Sequence, residues 1–390
     1  MMDYILEKDT KEMREKLQEK FPALFLKDLF DMITERELNK VIVDEIESRK
    51  TIFLCACGMW VKNCTISSYN LLVNDIAGAG KDYITSKTLS ILPDNYLIKR
   101  TRISPTVFTY WHNSKYEPAW TWDNKTLYLE DISSDVMNSP VFKVMCSSGS
   151  HATIVKDQKA IDIVIKGKPV MIITSATANP NPELTRRFTI LNLDSGIDQT
   201  KAIVKRHLKY AVEGKTPKIL EDIKESLYNL KRIEVKIPYA AKLESFVPMD
   251  NVIMRTHILR FLDYIKASCA LYQFQREMDE DGYYIATEQD YQVARIVMNK
   301  ICSNQYMIPL TKDQRMILEV FEKLGENTWW TVAELEPRLS FISERWLRKQ
   351  LDKLVKYGLL SKDLQSGEKK NLMIYGYNNI ESIELPTSLE

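Results

Sequence analysis

The stretch Leu71–Tyr83, LLVNDIAGAGKDY, decides how this chain can fold. Its first residues, Leu71–Val73, predict a short buried strand, and the glycines that follow lead to Gly80-Lys81. A buried strand, a tight loop rich in N–H groups and a helix start together make an anion cradle, to which a lysine adds a point charge. The sequence predicts a nucleotide-phosphate site here, with these contact residues: Ala77, Gly78, Ala79, Gly80, Lys81, Asp82 and Tyr83.

The loop departs from the pattern G-x-x-x-x-G-K-[ST] at two positions. Asp75 stands where that pattern has glycine, and Asp82 stands where it has a hydroxyl. The hydroxyl normally ligates Mg²⁺, and an additional carboxylate sits unfavourably beside a polyphosphate unless a metal lies between them. On these residues alone, a glycine-rich loop that only caps a helix remains an alternative.

Helical patterns flank this stretch on both sides. Residues 1–50 have helical spacing with abundant Glu, Lys and Arg, and Ile42–Val61 predicts a helix that leads towards the strand. After the loop, Lys81–Ile91 predicts a helix that stops at Pro93.

The composition is that of an ordinary globular protein of two or three domains. The chain has 390 residues, of which 45% are hydrophobic and 27% are charged. Lys and Arg (54) balance Asp and Glu (53), which gives a net charge of +1. Any nucleic acid must therefore be bound by local basic patches, because the chain has no global positive field.

Cysteine usage and hydropathy indicate an intracellular environment. The six cysteines form no C-x-x-C pair and have no histidine at zinc spacing, which favours reduced core residues. The charged N-terminus predicts no signal peptide, and no apolar run approaches the roughly 20 residues of a membrane span. We expect a cytoplasmic protein without a membrane partner. The four histidines lie far apart, so none is assigned a metal or general-base role.

Strand and helix patterns alternate after the loop. Apolar runs with β propensity occur at Tyr96–Ile103, Thr126–Leu129 and Val170–Thr174, which is typical of a parallel α/β sheet. Long amphipathic patterns from residue 199 predict an all-helical subdomain, and from Pro309 three helices and a hairpin predict a winged helix-turn-helix. The predicted units are an N-terminal helical segment (1–45), an α/β core (46–232), a helical lid (233–308) and a winged-helix domain (309–390).

Two carboxylates follow the strand Leu127–Leu129. Glu130 and Asp131 are expected at the carboxyl edge of the sheet, where α/β proteins hold their ligands. One can hold Mg²⁺ through water and the other can polarise an attacking water. Asp82 is the third candidate metal ligand. An acidic strand end that simply faces solvent is the alternative.

Polar groups also follow the strand Val170–Thr174. Asn179 brings a neutral amide towards the same edge, where it could orient water against a γ-phosphate. Arg186 and Arg187 precede the next apolar strand. A planar guanidinium there suits the charge of a phosphate bound by a neighbouring subunit, and a solvated surface pair is the alternative.

In this order, these features resemble the AAA+ ATPases. The chain is similar to the branch that contains the minichromosome maintenance helicases and the helicase parts of phage and plasmid primase-helicases. The similarity covers roughly residues 41–302, with the winged helix as the usual companion. It implies a P-loop AAA+ core with a parallel sheet and a helical lid.

The resemblance also implies roles for single residues. Gly78, Gly80 and Lys81 match Walker A, and Glu130 with Asp131 occupies Walker B in reversed order. Asn179 matches sensor 1, Arg187 the arginine finger and Arg255 sensor 2. Because Asp75 and Asp82 depart from the family pattern, either metal ligation is rearranged in an active enzyme or hydrolysis is slow.

Two regions are candidates for contact with DNA. In the related helicases a hairpin after Walker B points into the central pore, and residues 151–169 form two β-like runs with Lys156 and Lys159 beside the turn. In the last domain, an apolar helical stripe leaves Arg345, Arg348 and Lys349 on other faces, as in a recognition helix. A plain surface hairpin and a protein-contact flap are the respective alternatives.

The site residues and this resemblance together imply a ring-forming DNA helicase or translocase that uses ATP and Mg²⁺. The arginine-finger argument implies a homo-oligomer, with a hexamer expected, and single-stranded or forked DNA as partner. Replication of a mobile genetic element is implied by resemblance only. Two alternatives stay open: a nucleotide switch that binds DNA and recruits or loads another protein, and a DNA-binding regulator whose ATPase core is structural.

Overall fold

The computed structural model describes these residues: 10–75, 78–112, 114–147, 150–156, 159–175, 187–194, 196–214, 218–219, 221–246, 254–302, 312–325, 328–339, 342–356, 359–365, 372–377 and 385–388. Within them, the helices lack the combination of length and apolar character that is needed to cross a membrane.

The described chain alternates helices and strands in its first half and is mainly helical afterwards. The α-helices are α1 (Lys11–Lys20), α2 (Leu29–Asp31), α3 (Ile46–Cys57), α4 (Lys81–Leu89), α5 (Ser134–Asn138), α6 (Pro140–Ser147), α7 (Ile197–Glu213), α8 (Glu221–Leu227), α9 (Met254–Leu271), α10 (Glu288–Cys302), α11 (Lys312–Leu324), α12 (Val332–Leu335) and α13 (Glu344–Lys356). The strands are β1 (Leu71–Asn74), β2 (Leu97–Arg100), β3 (Thr126–Leu129), β4 (Ser150–Lys156), β5 (Lys159–Ile165), β6 (Val170–Ser175), β7 (Thr189–Leu191), β8 (Val235–Lys236), β9 (Tyr284–Ile285), β10 (Trp329–Thr331), β11 (Leu360–Gln365) and β12 (Leu372–Tyr377).

The central sheet has five parallel strands in the order β2-β3-β6-β1-β7. Strand β1 pairs with β6 on one side, with Leu71 opposite Ile172, and with β7 on the other, with Leu71 opposite Thr189. Strand β6 therefore separates the strand that leads into the glycine-rich loop from β3, which ends in the acidic pair. Parallel pairing brings all these carboxyl ends to one edge of the sheet.

Both faces of the sheet are buried, as expected for a parallel sheet covered on two sides. Leu71 and Val73 pack into one hydrophobic cluster, whereas Leu72, between them, packs into a second cluster on the opposite face. Strands β1, β3 and β6 are buried along their whole length. This explains why they read in the sequence as continuous apolar runs with no alternation.

The first hydrophobic cluster extends well beyond the sheet. It contains Met13 and Phe30 from the N-terminal segment, Phe53 from α3, and Leu271 and Val297 from α9 and α10. The predicted boundaries at 45/46 and 232/233 therefore fall inside one shared core.

Most predicted elements are present, with shifted ends. Strand β3 has the predicted bounds, β6 is one residue longer than predicted, and β2 is limited to Leu97–Arg100. Helix α3 starts at Ile46 and not at Ile42, because Asp44 and Glu45 have φ of +47° and +55°. Two consecutive left-handed residues cannot belong to a right-handed helix.

The predicted hairpin after the acidic strand is formed by β4 and β5. The two strands pair antiparallel in register from Ser150 opposite Ile165 to Lys156 opposite Lys159. Ile163 and Ile165 are buried near the base, whereas Val155 near the turn is 78% exposed. The hairpin is therefore anchored at its base and projects towards its turn.

Residues 312–377 form a unit with its own core. Helices α11, α12 and α13 pack on an antiparallel sheet in the order β10-β12-β11. Leu347, Leu351 and Leu354 of α13 are buried in that core, as the apolar stripe predicts. Strand β10 is an addition to the predicted helices and hairpin.

Candidate nucleotide site

The glycine-rich loop joins β1 to α4 with a backbone that only glycine adopts without strain. Gly78 and Gly80 have φ of +91° and +84°, and a Cβ at either position would meet nothing within 4 Å. Glycine is therefore favoured at these two positions by the backbone torsion angles, and not by a lack of space for a side chain. Gly80 caps α4, whose first helical bond runs from Ile84 N–H to Gly80 O at 2.9 Å. The N–H groups of residues 81–83 precede that bond, as at any helix start, and can bind an anion. Ala77 lies outside the described residues.

Lys81 lies between two carboxylates at this edge. Its side chain is only 7% exposed, and its Nζ lies 3.8 Å from Asp82 Oδ2 and 4.0 Å from Asp131 Oδ1. Unit charges at 4 Å attract by roughly 4 kcal/mol at an effective dielectric of about 20, before solvent screening. The lysine thus offsets the mutual repulsion of the two acids.

Thr174, at the carboxyl end of β6, holds both acids in place. Its hydroxyl donates to Asp82 Oδ1 in a short hydrogen bond and accepts from Asp131 N–H at 2.8 Å. The residue is fully buried. The sequence analysis did not identify this side chain, because its place beside the loop depends on β6 lying between β1 and β3.

Asp131 sits in an anchored tight turn. Its φ is +46°, and Ile132 N–H donates to Thr174 O at 3.0 Å. A non-glycine residue in the left-handed region costs about 1 to 2 kcal/mol. The turn places the Asp131 carboxylate beside Lys81, although the side chain remains 65% exposed.

Glu130 is turned towards a different lysine. Its Oε2 lies 3.0 Å from Lys99 Nζ on β2, and Lys99 also donates to Ser86 Oγ at 3.0 Å. The structure therefore brings Asp131 and Asp82 to Lys81, and pairs Glu130 with Lys99.

Tyr128 packs beneath the same edge. Its hydroxyl donates to the backbone oxygen of Asp82 at 3.4 Å, and Lys99 Nζ lies over its ring. Burial raises the pKa of this phenol, so it stays protonated and acts as a donor. It is a further link between β3 and the start of α4.

Asp75, which stands where the common loop pattern has glycine, has a structural role. Asp75 Oδ2 accepts a hydrogen bond from Leu193 N–H at 3.1 Å, and Asp75 N–H donates to Ser175 O at 3.4 Å. The carboxylate thus ties the loop to the segment that follows β7. A glycine at this position would lose that link.

Tyr83 lies on α4, and its side chain helps to attach that helix to the rest of the core. Its hydroxyl donates to Val41 O at 2.8 Å, and burial raises its pKa. The hydroxyl therefore connects the helix that starts at the loop to the segment before α3, and it is engaged there and not at the loop.

Arg187, the candidate finger, is bonded within its own chain. Its Nη1 donates to Lys143 O at 2.7 Å and to the Ser147 hydroxyl. Lys168 Nζ donates to Ser147 O, so two cations meet the end of α6. Cations are favourable at a helix C-terminus.

The structure describes the other predicted site residues only in part. Asn179 and the side chains of Arg255 and Lys156 lie outside the described residues, whereas Lys159 is exposed at the hairpin turn. On α13, Arg345, Arg348 and Lys349 are exposed. Arg348 pairs with Glu344 at 2.6 Å, and Lys349 lies over the ring of Trp346.

The donor set at Lys81 fits a magnesium ion that is shared with a phosphate. Among the described side chains, no three His, Cys, Asp or Glu are grouped closely enough to hold a metal ion alone. Mg²⁺ usually takes one or two carboxylates and completes its shell with waters and substrate phosphates. Asp82 and Asp131 supply two hard oxygen ligands beside the loop, which matches that requirement.

A parallel sheet in which the buried inner strand β1 leads into a glycine-rich loop, a helix N-terminus and a buried lysine defines a P-loop protein. Residues 27–236 match the family model described as "MTBMA_p00010 P-loop domain". The match covers more than half of the chain, so the chain belongs to this family. A P-loop domain implies nucleotide binding, usually with Mg²⁺. No curated protein matches the sequence.

Proposed function

We propose that this P-loop protein is a cytoplasmic ATPase of the AAA+ type that assembles into a ring and moves along DNA, in replication of a mobile genetic element. The observation that carries the proposal is the meeting of Lys81, Asp82, Asp131 and Thr174 at the carboxyl edge of the sheet. A lysine and an acid from the start of α4, with a second acid from the turn after β3, are the groups that phosphoryl transfer requires.

In the proposed reaction each group has a stated task. The N–H groups of the first turn of α4 and the Lys81 ammonium bind the β- and γ-phosphates. Asp82 and Asp131 would hold Mg²⁺, which would neutralise charge on the phosphate oxygens. Glu130 orients the attacking water once its carboxylate leaves Lys99, with which it pairs at 3.0 Å.

The ring is proposed because the site lacks a guanidinium of its own among its described contacts. Arg187 would reach the nucleotide of a neighbouring subunit by exchanging its bonds to Lys143 and Ser147 for a phosphate oxygen. A planar fork of donors suits either acceptor.

Contact with DNA is supported by the length of the β4–β5 hairpin and by the positive charges on that hairpin and on α13. The β4–β5 hairpin has seven residues in each strand, about 23 Å of extended chain, and its last paired residues are Lys156 and Lys159. The described part of the 312–377 unit includes α11, α12, α13 and the paired strands β11 and β12, which supports a winged helix, and the exposed cations of α13 include Arg345, Arg348 and Lys349. Phosphate contacts by these groups would be independent of sequence and sensitive to salt.

The deciding experiment is steady-state ATP hydrolysis with and without single-stranded DNA. A motor predicts hydrolysis that DNA stimulates and that Lys81→Ala abolishes, because the phosphate charge is then unpaired. Lys87→Ala is the matched control, since Lys87 is an exposed lysine on the same helix. Lys159→Ala and Arg345→Ala should reduce the stimulation and keep the DNA-free rate, and strand displacement on a forked duplex would then establish unwinding. Hydrolysis that survives Lys81→Ala would contradict the proposal.

A nucleotide switch that loads or recruits a partner is the second candidate. The pairing of Glu130 with Lys99 favours it, because a carboxylate that is engaged by an ammonium is not free to orient an attacking water. This function predicts that ATP binds and changes DNA affinity, while hydrolysis stays slow and is not stimulated by DNA.

A further inference from the structure

The position of Asp82 has a consequence for how nucleotide enters the site. In the common pattern the residue after the loop lysine is a neutral hydroxyl. Here it is a carboxylate whose Oδ1 is fixed by the Thr174 hydroxyl, and whose Oδ2 lies 3.8 Å from Lys81 Nζ. The charge is therefore held beside the phosphate-binding lysine and cannot swing away without breaking that hydrogen bond.

Asp131 adds a second negative charge near the lysine, on a backbone that Thr174 anchors. Its backbone N–H is bonded to the same Thr174 hydroxyl, and its Oδ1 lies 4.0 Å from Lys81 Nζ. Two carboxylates thus share one buried ammonium. The local charge at the place where phosphate must bind is negative before any ligand arrives.

We propose that this loop binds a nucleoside triphosphate or diphosphate only as its complex with a divalent cation, and that Thr174 is the positioning residue that enforces this. The inference rests on the proposed nucleotide site. A metal-free polyphosphate would compete with Asp82 and Asp131 for Lys81 and would be repelled by both. A cation between the phosphates and the two acids turns that repulsion into ligation and leaves Lys81 for the phosphate.

Thr174 is suited to this role because one hydroxyl serves both acids. It donates its only proton to Asp82 and accepts from Asp131 N–H, so the two bonds fix its rotamer. Serine keeps this hydroxyl, whereas valine keeps the shape and removes both bonds.

The test is equilibrium binding of a fluorescent ADP analogue in Mg²⁺ and in EDTA at constant ionic strength, which needs no turnover. The wild-type protein should bind about tenfold or more weakly in EDTA. Asp82→Ser should bind in EDTA better than the wild-type protein does, because one repelling charge is gone. Asp135→Ser, which changes net charge equally at an exposed position, should keep the wild-type dependence.

The Thr174 variants test whether the positions of Asp82 and Asp131 matter, because these variants leave the charge of the site unchanged. Thr174→Val should weaken binding in Mg²⁺, and Thr174→Ser should restore it, with melting temperature measured for each to show that the protein is folded. If Thr174→Val does not fold, binding of the ADP analogue by Asp82→Ser and Thr174→Ser in Mg²⁺ and in EDTA still tests the inference. Equal wild-type affinity in Mg²⁺ and EDTA, or an unchanged dependence in Asp82→Ser, would overturn the inference. Absence of binding in both buffers would instead remove the proposed function.

Discussion

Arg49 is the most unusual side chain of the described core. It is fully buried on α3, and among the described residues its Nε, Nη1 and Nη2 have no hydrogen-bond partner. Burial lowers its pKa to about 10, partly offset by the charges of Asp44, Glu35 and Glu45. Because the folded pKa lies below the unfolded one, folding disfavours the charged form, and the full penalty is present at every pH below about 10.

We therefore expect Arg49→Met to stabilise the protein, by roughly 1 to 3 kcal/mol, because an apolar side chain of similar length needs no partner. The measurement is urea unfolding at neutral pH. Lys50→Met is the control on the same helix. Lys50 pairs with Asp31 at 2.8 Å and Glu35 at 2.5 Å, so its loss should destabilise. A fall in stability for Arg49→Met would show that the guanidinium has favourable partners after all.

At the residue scale, the sequence predicts the loop and the acids beside it, but not the side chains that position those acids. Gly78, Gly80 and Lys81 follow a local pattern with a physical reason, so they could be assigned in advance. Thr174 could not, because its role depends on β6 lying between β1 and β3, and strand order is not encoded in any local pattern. The same holds for Lys99, whose partner Glu130 follows the neighbouring strand β3.

At the scale of elements, α7 has its polar face turned inwards. Gln199, Arg206 and Tyr210 donate hydrogen bonds to backbone oxygens of residues 39–43. On the opposite side the exposed residues include four apolar ones: Ile197, Val204, Leu208 and Val212. The helical period predicts such a helix, but not which face packs, since the usual assumption is that the apolar face does.

Because the polar face of α7 packs inwards, substitutions on that face should destabilise the protein more than substitutions on its apolar face. Arg206→Ala should lower stability by about 1.5 to 3 kcal/mol, because Nη1 bonds Asn39 O at 2.8 Å and Ile42 O at 2.9 Å. Leu208→Ser, at a position that is 63% exposed, should change stability by less than about 0.5 kcal/mol. Thermal or urea unfolding of both variants is the check. The opposite ranking would mean that the apolar face is covered in the folded protein.

At the scale of the whole molecule, one core joins distant parts of the chain. Leu385 is buried in the same cluster as β1 and α3, and Tyr291 donates from its hydroxyl to Pro386 O at 2.7 Å. Residues 385–388 thus return to α10 after the separate 312–377 unit. Boundaries drawn from sequence patterns follow the order of elements, whereas packing depends on contacts across hundreds of positions, so the shared core could not be predicted.

Leu385→Ala should therefore destabilise the P-loop core, by about 2 to 4 kcal/mol, through a cavity in the main cluster. Leu364→Ala, at a 58% exposed position of β11, is the matched control and should have little effect. Urea unfolding followed by far-UV circular dichroism gives both values. Equal stability for the two variants would contradict the packing of this segment against the core.

The left-handed glycines of the loop carry a consequence for genetics. An alanine at position 78 or 80 would strike no neighbouring atom within 4 Å, so its penalty is entirely torsional. Trimming another side chain cannot relieve a penalty of that kind. A suppressor screen started from Gly80→Ala should return true revertants, and not compensating changes elsewhere in the gene.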